Sequence, residues 1–304
     1  MTLFPYTTLF RSQTRVAAVL DHYRIFLERF PNVQALAAAS EDAVLAAWSG
    51  LGYYRRARML HRAAQQITEN HGGCFPRNSE AWLALSGIGR YTAAAIASIA
   101  FAEPVAVVDG NVERVLERFL GINLTTPQIW QHAQVLLASS RPGDFNQAMM
   151  ELGATVCVPR EPRCPMCPVR KWCVTEQSME RRASPPGPAT KSSRQIKKEI
   201  WCVLNHRDGG IRLVQRPKKA SLMPGMWELP QSSEHPRPLP ASAHWRTFRH
   251  SITVTDYTVH VLRNNAPLSD TPPAAKGKWI AIDRIPQIPI TGLTRKILKA
   301  GGII

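Results

Sequence analysis

The sequence predicts a multidomain chain: an all-α domain carrying a cysteine-bound loop, followed by a small α+β domain. Three observations predict it. Apolar residues recur at spacings of three and four from Thr14 to about Gln177, four cysteines crowd the end of that stretch, and short β-prone runs follow a Pro- and Ser-rich cationic interval. The 304 residues, 44% hydrophobic, suffice for roughly two cores. No stretch approaches the ~20 consecutive apolar residues that span a bilayer, so no membrane partner is expected. Lys and Arg outnumber Asp and Glu by 38 to 22, a formal charge of +16 that suits a polyanion, nucleic acid first among them. Charge alone does not separate that reading from a soluble protein that happens to be basic.

The helical part opens after Met1 to Ser12, which lack the basic start and apolar core of a secretory leader, so a reducing cytosol is the expected compartment. Alanine-rich stretches at Leu36 to Trp48 and Thr92 to Ala102 favour helix. Between them, Leu85-Ser-Gly-Ile-Gly-Arg-Tyr-Thr92 places two glycines one residue apart before a helix-prone run. Backbone N–H groups and a helix N-terminus can there meet a phosphate without reading sequence, although an ordinary corner between helices has the same look. Asp109 ends the apolar run Val105 to Val108 and precedes a predicted helix over Asn111 to Leu120, with Val112, Val115, Leu116 and Phe119 on its apolar face. An Asp at that point is an N-cap. It is also a fixed carboxylate able to stabilise positive charge on a sugar that is losing its base, and the two roles are compatible.

Cys157, Cys164, Cys167 and Cys173 are separated by six, two and five residues. Thiolates this close on one loop share a metal or an iron–sulfur cluster. Only Cys164 and Cys167 form a C-x-x-C, whereas zinc ribbons and fingers pair two such turns, so the spacing favours [4Fe–4S] over zinc or unrelated thiols. Next, residues 181–198 read RRASPPGPATKSSRQIKK, without an apolar face: a solvated linker. After it come β-prone runs at Ile200 to Leu204, Ile211 to Val214, Ser251 to Val261 and Lys278 to Ile282.

The segments Gly50-Leu-Gly-Tyr-Tyr54, Gly87-Ile-Gly89, Val108-Asp-Gly-Asn111, Phe145-Asn-Gln-Ala-Met-Met-Glu-Leu-Gly153 and the cysteine quartet stand in the order seen in adenine DNA glycosylases. The chain resembles that family of the helix-hairpin-helix (endonuclease III) superfamily, most strongly from Gln13 to Cys173. The resemblance implies a helix-hairpin-helix glycosylase domain over 13–180 with a [4Fe–4S] loop at 157–173. It implies that Asp109 is the catalytic aspartate, that Asn111 positions the reacting groups and that Tyr91 lines the pocket. Gln13, Leu51 and Tyr53 would enter the base stack while Gly87, Gly89 and Arg90 hold the backbone, wedge side chains offsetting part of the cost of flipping a base. Relatives that also cut the strand carry a lysine where Tyr91 stands, so a monofunctional glycosylase is expected. The expected partner is double-stranded DNA with adenine opposite 8-oxoguanine or guanine, bound by a monomer in the cytoplasm at the nucleoid.

Residues 199–304 resemble the family's oxidised-guanine-sensing domain, related to Nudix hydrolases, through Gln215-Arg216-Pro217, Gly225-Met-Trp-Glu-Leu-Pro230 and Phe248-Arg-His-Ser251. No glutamate-rich metal-binding helix follows Pro230, which makes lesion recognition, not nucleotide hydrolysis, the expected task. Where the family reads the lesion with Phe-Ser-His this chain has Ile252, Thr253 and Val254, so Thr253, with His250 and Ser251, is the recognition candidate. A second departure is larger. The family's general-acid glutamate lies five residues before the position of Gln13, and Thr8 stands there. A hydroxyl cannot deliver a proton near neutral pH as a tuned carboxylic acid does, which predicts the loss of most of the chemistry. Met1 to Ser12 match nothing in the family and read as foreign sequence on a truncated copy. Two other readings remain open: a catalytically silent mispair-binding protein and a zinc-stapled transcription factor.

Overall fold

The computed structural model describes residues 16–178, 196–207, 209–234, 244–252, 254–264 and 277–304. Thr8, Gln13 and Thr253, and most of the 181–198 linker, lie outside these residues. Helix follows helix up to Gln177, as the periodicity predicts: α1 (Val16–Arg29), α2 (Val33–Ala38), α3 (Glu41–Trp48), α4 (Arg55–His71), α5 (Ser79–Leu83), α6 (Arg90–Phe101), α7 (Gly110–Leu120), α8 (Thr126–Leu136), α9 (Pro142–Glu151) and α10 (Val174–Gln177). Local chemistry sets their starts. Ser40 Oγ accepts from Ala43 N–H at 3.2 Å and Asn78 Oδ1 from Ala81 N–H at 2.8 Å, each capping a helix whose first turn is acidic. Gly121, at φ 69, ends α7 in the left-handed conformation that favours glycine. None of the helices among the described residues is long and apolar enough to cross a membrane.

The chain divides into two compact units, and they are not the consecutive segments 13–180 and 199–304 that the texture of the sequence suggests. One gathers Asn32–Ala37 with the described part of Arg62–Thr190; the other gathers Ala17–Pro31, Ala38–His61 and the described part of Lys191–Ile304. In the first, Val112 and Leu116 of α7 share a core with Ala106, Ile129 and Ala133, and Ala94 and Ala95 of α6 with Val107. Each large side chain such as Leu116 contributes roughly 1.5–3 kcal/mol on burial.

In the second unit a mixed sheet is built from β1 (Ile196–Arg207), β2 (Gly210–Gln215), β3 (Trp227–Glu228), β4 (Gln231–Ser232), β5 (His244–Ile252), β6 (Thr255–Asn264) and β7 (Lys278–Ala281), in the order β3-β2-β1-β6-β5 with β4 added on β1 and β7 on β2. Among the described strands only β1 and β6 pair with each other in parallel, and Trp227 of β3 adds a single parallel bridge to Ile290. Leu293, Ile297 and Leu298 of the last helix, α11 (Gly292–Ala300), share one core with Leu204, Leu213, Val259 and Val261. Two sequence expectations are corrected. Ser251 to Val261 is not one run but a hairpin, β5 ending and β6 starting across the pair Ile252↔Thr255, because β-prone residues hide the turn. Ile196 to Lys198, read as linker, are strand paired with Thr255 to Tyr257. Backbone pairing there needs no apolar face, so the sequence carries no sign of it.

Candidate active site

The glycine pair makes the predicted corner. Gly87, at φ 77, turns the chain, Ile88 N–H donates to Leu85 O at 3.2 Å, and Ser86 N–H donates to Gln66 Oε1 at 2.7 Å. Gly89 caps α6 with no side-chain acceptor on its first amides, and a Cβ added there would meet nothing within 4 Å. The first amides of α6 thus have no side-chain cap, and a helix N-terminus of that kind can receive a phosphate. Arg90 lays its guanidinium 3.8 Å from the centre of the Trp130 ring.

Asp109 is reached through an extended segment that two side-chain amides hold in place of a neighbouring strand. Gln134 accepts from Ala106 N–H at 2.9 Å and donates to Pro104 O at 2.9 Å. Asn146, 2% exposed, accepts from Val107 N–H at 3.0 Å and donates to Val105 O and Ser98 Oγ, each at 2.9 Å. The half-buried Asp109 then caps α7: its Oδ1 accepts from Asn111 N–H and Val112 N–H, both at 2.9 Å, and its Oδ2 from Asn111 Nδ2 at 3.3 Å. Both predicted roles of this carboxylate are thus compatible in one geometry, because the cap fixes its plane. Tyr91 rests on the Ala94, Ala95 and Val107 core, its hydroxyl 3.5 Å from Met150 Sδ.

Two arginines that the sequence reading did not single out join this cap to the cysteine loop. Arg114 Nη2 donates to Asn111 Oδ1 at 2.8 Å and Gly153 O at 2.7 Å, while its Nε donates to Cys157 O at 2.9 Å. Arg118 donates to Val158 O and Pro159 O, each at 2.8 Å, and approaches Cys157 Sγ at 3.4 Å. Gly153 begins the close approach: a Cβ there would fall 2.7 Å from Asn111 Cβ. It lies in a π-helical turn, Leu152–Val156, closed by Cys157 N–H to Leu152 O at 2.7 Å. Asn146, followed by Gln147 in a helix of mixed polarity, carries no local signal of its role. Arg114 and Arg118 carry none either, since cations four apart on a helix read as a solvated face.

Cys157, Cys164, Cys167 and Cys173 are all free and partly buried. Cys173 Sγ donates to Arg118 O at 3.4 Å, and burial, then Glu176, then Cys157 and Cys173 push the Cys164 thiol up to about 11. Among the described residues no three His, Cys, Asp or Glu side chains stand together as ligands of one metal ion. Four unpaired thiols on one loop, beside an arginine, nevertheless fit an iron–sulfur donor set chemically. Arg170 pairs with Glu176 of α10 at 2.9 Å and Lys171 lies 4.1 Å from the Trp172 ring centre, so both cations of that turn have partners close in sequence.

In the second unit the Gly50 to Tyr54 segment splits the roles that its sequence suggested. Tyr53 is 62% exposed and sits at φ 47, whereas Tyr54 and Leu51 are buried, at 5% and 7% exposure. Leu51, expected in the base stack, is therefore a packing residue in this conformation. Gly50 and Gly52 adopt φ 107 and 68, and Trp48 Nε1 donates to Gly52 O at 3.1 Å, pinning the loop from below. Farther along, Arg216 Nη1 meets both Glu228 oxygens at 3.0 and 2.8 Å, and burial raises the Glu228 carboxyl against that pairing. Ser251 Oγ donates to Asp256 Oδ1 at 2.5 Å in the β5–β6 hairpin, and burial, then Lys296, lowers the His250 imidazole.

This helical architecture, with a capped aspartate beyond a glycine corner, defines a DNA base-excision protein: residues 7–138 match the HhH-GPD superfamily of base excision DNA repair proteins, and the match starts inside Met1 to Ser12, contrary to the expectation that none of that segment resembles the family. A thermostable thymine-DNA glycosylase of known structure is 28% identical, with a TM-score of 0.54 over 58% of this chain and 83% of that one. Endonuclease III in a non-covalent DNA complex shares the fold at 22% identity, TM-score 0.52, over 60% of this chain and 87% of that one. Among curated proteins, the adenine DNA glycosylases of Homo sapiens and Mus musculus are 34% and 35% identical over 94% of this chain. The chain belongs to the adenine DNA glycosylase family, a family of DNA-repair enzymes. It spans 65% of the human relative's length and 69% of the mouse relative's.

Proposed function

We propose that this protein is a monofunctional adenine DNA glycosylase acting as a monomer on double-stranded DNA with adenine opposite 8-oxoguanine or guanine. The observation that carries the reading is the Asp109 carboxylate, held by two backbone amides and the Asn111 side chain at a helix start. The flipped adenine departs with the electron pair of its glycosidic bond, leaving positive charge on the sugar. A carboxylate already fixed in place stabilises that charge without reorganising. Water then attacks the anomeric carbon and loses a proton, giving the abasic sugar and free adenine. Tyr91 offers no amine, so no Schiff base forms and the strand stays intact. Gly87, Gly89 and Arg90 would receive the phosphate backbone, and Tyr53 would fill the gap in the stack.

Cys157, Cys164, Cys167 and Cys173 would hold a [4Fe–4S] cluster whose contribution is to order the loop that Arg114 and Arg118 tie to the catalytic helix. The sheet of the second unit would be a Nudix-like lesion reader, with His250, Ser251 and Thr253 as its contacts. Thr8, at the general acid's position, slows protonation of the departing adenine and favours a second reading, a mispair binder with little turnover. Single-turnover release of adenine opposite 8-oxoguanine, beside a mobility shift on a non-cleavable duplex, tests both. Selective mispair binding with slow release supports the assignment; no preference for the mispair defeats it.

A further inference from the structure

The exposed Tyr53 hangs from a joint that the last helix of the chain completes. Ser49, just before the loop, is 2% exposed. Its hydroxyl donates to Ile290 O at 2.8 Å and accepts from Arg295 Nε at 3.1 Å. His22 Nε2 lies 3.3 Å from Ser49 O, and a Cβ added to Gly50 would lie 3.1 Å from that nitrogen and 3.6 Å from Arg295 Cδ. On the far side of the loop, the buried Tyr54 phenol faces Ser49 and Arg295. One arginine of α11 thus holds the near flank of the loop through Ser49 and acts electrostatically on Tyr54 at its far flank, and in this loop Gly50, Gly52 and Tyr53 all have φ between 47 and 107. A non-glycine residue persists in that region only when its surroundings over-determine it. Other ties join these helices to the C-terminal segment, Arg29 Nη2 to Pro286 O at 3.4 Å and Arg58 Nη2 to Pro224 O at 2.5 Å. Neither reaches the loop, so docking alone does not require Arg295 where it is.

We infer that Arg295 is a positioning residue that sets the Tyr53 loop from the C-terminal segment, so that the segment proposed to read the lesion also fixes how the wedge enters the stack. This rests on Tyr53 acting as the wedge. Without Arg295 the loop keeps its residues but must be ordered on binding, which costs affinity only where the wedge inserts. Phosphate contacts, which hold matched duplex equally, are untouched.

The test uses the full chain on a duplex with a non-cleavable adenosine analogue opposite 8-oxoguanine and 2-aminopurine at the adjoining step, whose fluorescence reports unstacking. Arg295→Met is expected to reduce the unstacking signal and to lower the preference for mispair over matched duplex roughly fivefold, the scale of one buried hydrogen bond. Matched-duplex affinity should stay unchanged. Ser49→Ala, which removes the acceptor, should reproduce this loss, and it carries the test if Arg295→Met does not fold. Arg29→Met, a tie remote from the loop, should leave both readouts at wild-type values. Wild-type preference in Arg295→Met or Ser49→Ala, with Tyr53→Ala abolishing the signal, overturns the proposal. So does an equal loss in Arg295→Met and Arg29→Met, which would make the contact merely structural. An intact signal in Tyr53→Ala overturns the wedge reading itself, and the coupling with it.

Discussion

Arg114 holds Asn111 from beneath: its Nη2 lies 2.8 Å from Asn111 Oδ1, and the same asparagine donates to the Asp109 carboxylate at 3.3 Å. The guanidinium also spans to Gly153 O and Cys157 O, so one planar group joins the start of α7, a π-helical turn and the first cysteine of the loop. Its fixed fork of donors suits these acceptors, and its Nη1 also donates to Gly110 O at 3.3 Å. Arg114 therefore links the orientation of the carboxylate to the path of the cysteine loop, beside the two backbone amides on Asp109 and the ties that Arg118 makes to the loop.

Replacing Arg114 with Leu should leave Asn111 Oδ1, Gly153 O and Cys157 O without their donor. Each lost charge-assisted hydrogen bond costs about 1.5–3 kcal/mol at most, and water reaching part of the site offsets some of it. The expected loss is about 2–4 kcal/mol of unfolding free energy, together with lower iron retention in the purified protein. Denaturant melts and iron analysis check it; unchanged values in both would show that the loop holds itself.

Gly153→Ala should destabilise by about 1–3 kcal/mol, because the new methyl would overlap Asn111 Cβ and meet Asn111 O at 2.9 Å, a backbone atom that cannot swing away. Gly110→Ala, one residue after Asp109, meets nothing within 4 Å and should be tolerated. Equal melting temperatures for the two variants would contradict the close approach.

What was legible in the sequence followed from periodicity and short-range chemistry. The α7 helix, its buried Val112, Val115 and Leu116, and Asp109 as its cap all appear as expected, since each depends on residues within four positions. The allegiance of Ala17–Pro31 and Ala38–His61 to the sheet unit was not legible, because it is made by contacts such as Ser49 to Ile290, 241 residues apart. Arg114 and Asn146 were missed for the same reason. Their partners at Cys157 and Val107 lie 43 and 39 positions away, and nothing local marks a polar side chain as spoken for. Tyr53 and Tyr54 look alike in sequence, and only the positive φ at Tyr53 sends one ring outward.

Thr8→Glu should raise single-turnover adenine release from the 8-oxoguanine mispair. A positioned general acid typically supplies 10²–10⁴-fold, and the gain should appear with little change in duplex affinity. Adding Asp109→Asn to that variant should remove the gain, since protonating the base does not replace the carboxylate that faces the sugar. A Thr8→Glu chain no faster than wild type would mean the acid is supplied elsewhere.

His250 gives a pH dependence with a defined sign. Burial, then the Lys296 ammonium, lowers its folded-state value below the ordinary 6.5, so the unfolded chain binds the extra proton first. Its contribution is therefore flat above about pH 6.5 and turns destabilising as pH falls through that value toward the folded one. His250→Gln should flatten this part of the stability curve, measured by urea melts between about pH 5 and 7. A variant whose curve falls as steeply as the wild type's would place the dependence on another group.

Tyr53→Gly should separate stability from binding. Glycine accepts the φ of 47 that tyrosine holds at a cost, but it also loosens the unfolded chain, and the Arg56 guanidinium 5.5 Å from the ring centre loses that face. These effects oppose one another, so the melting free energy should move by no more than about 1 kcal/mol. The ring itself is exposed and supports no core, so its removal acts on the duplex: losing one base–aromatic stack costs about 1–3 kcal/mol, roughly 5- to 150-fold in mispair affinity. Thermal melts alongside titrations of mispaired and matched duplex check it. Affinity that survives with unchanged stability would show that the exposed ring is idle, whereas a parallel collapse of both would show that Tyr53 supports the loop's own packing.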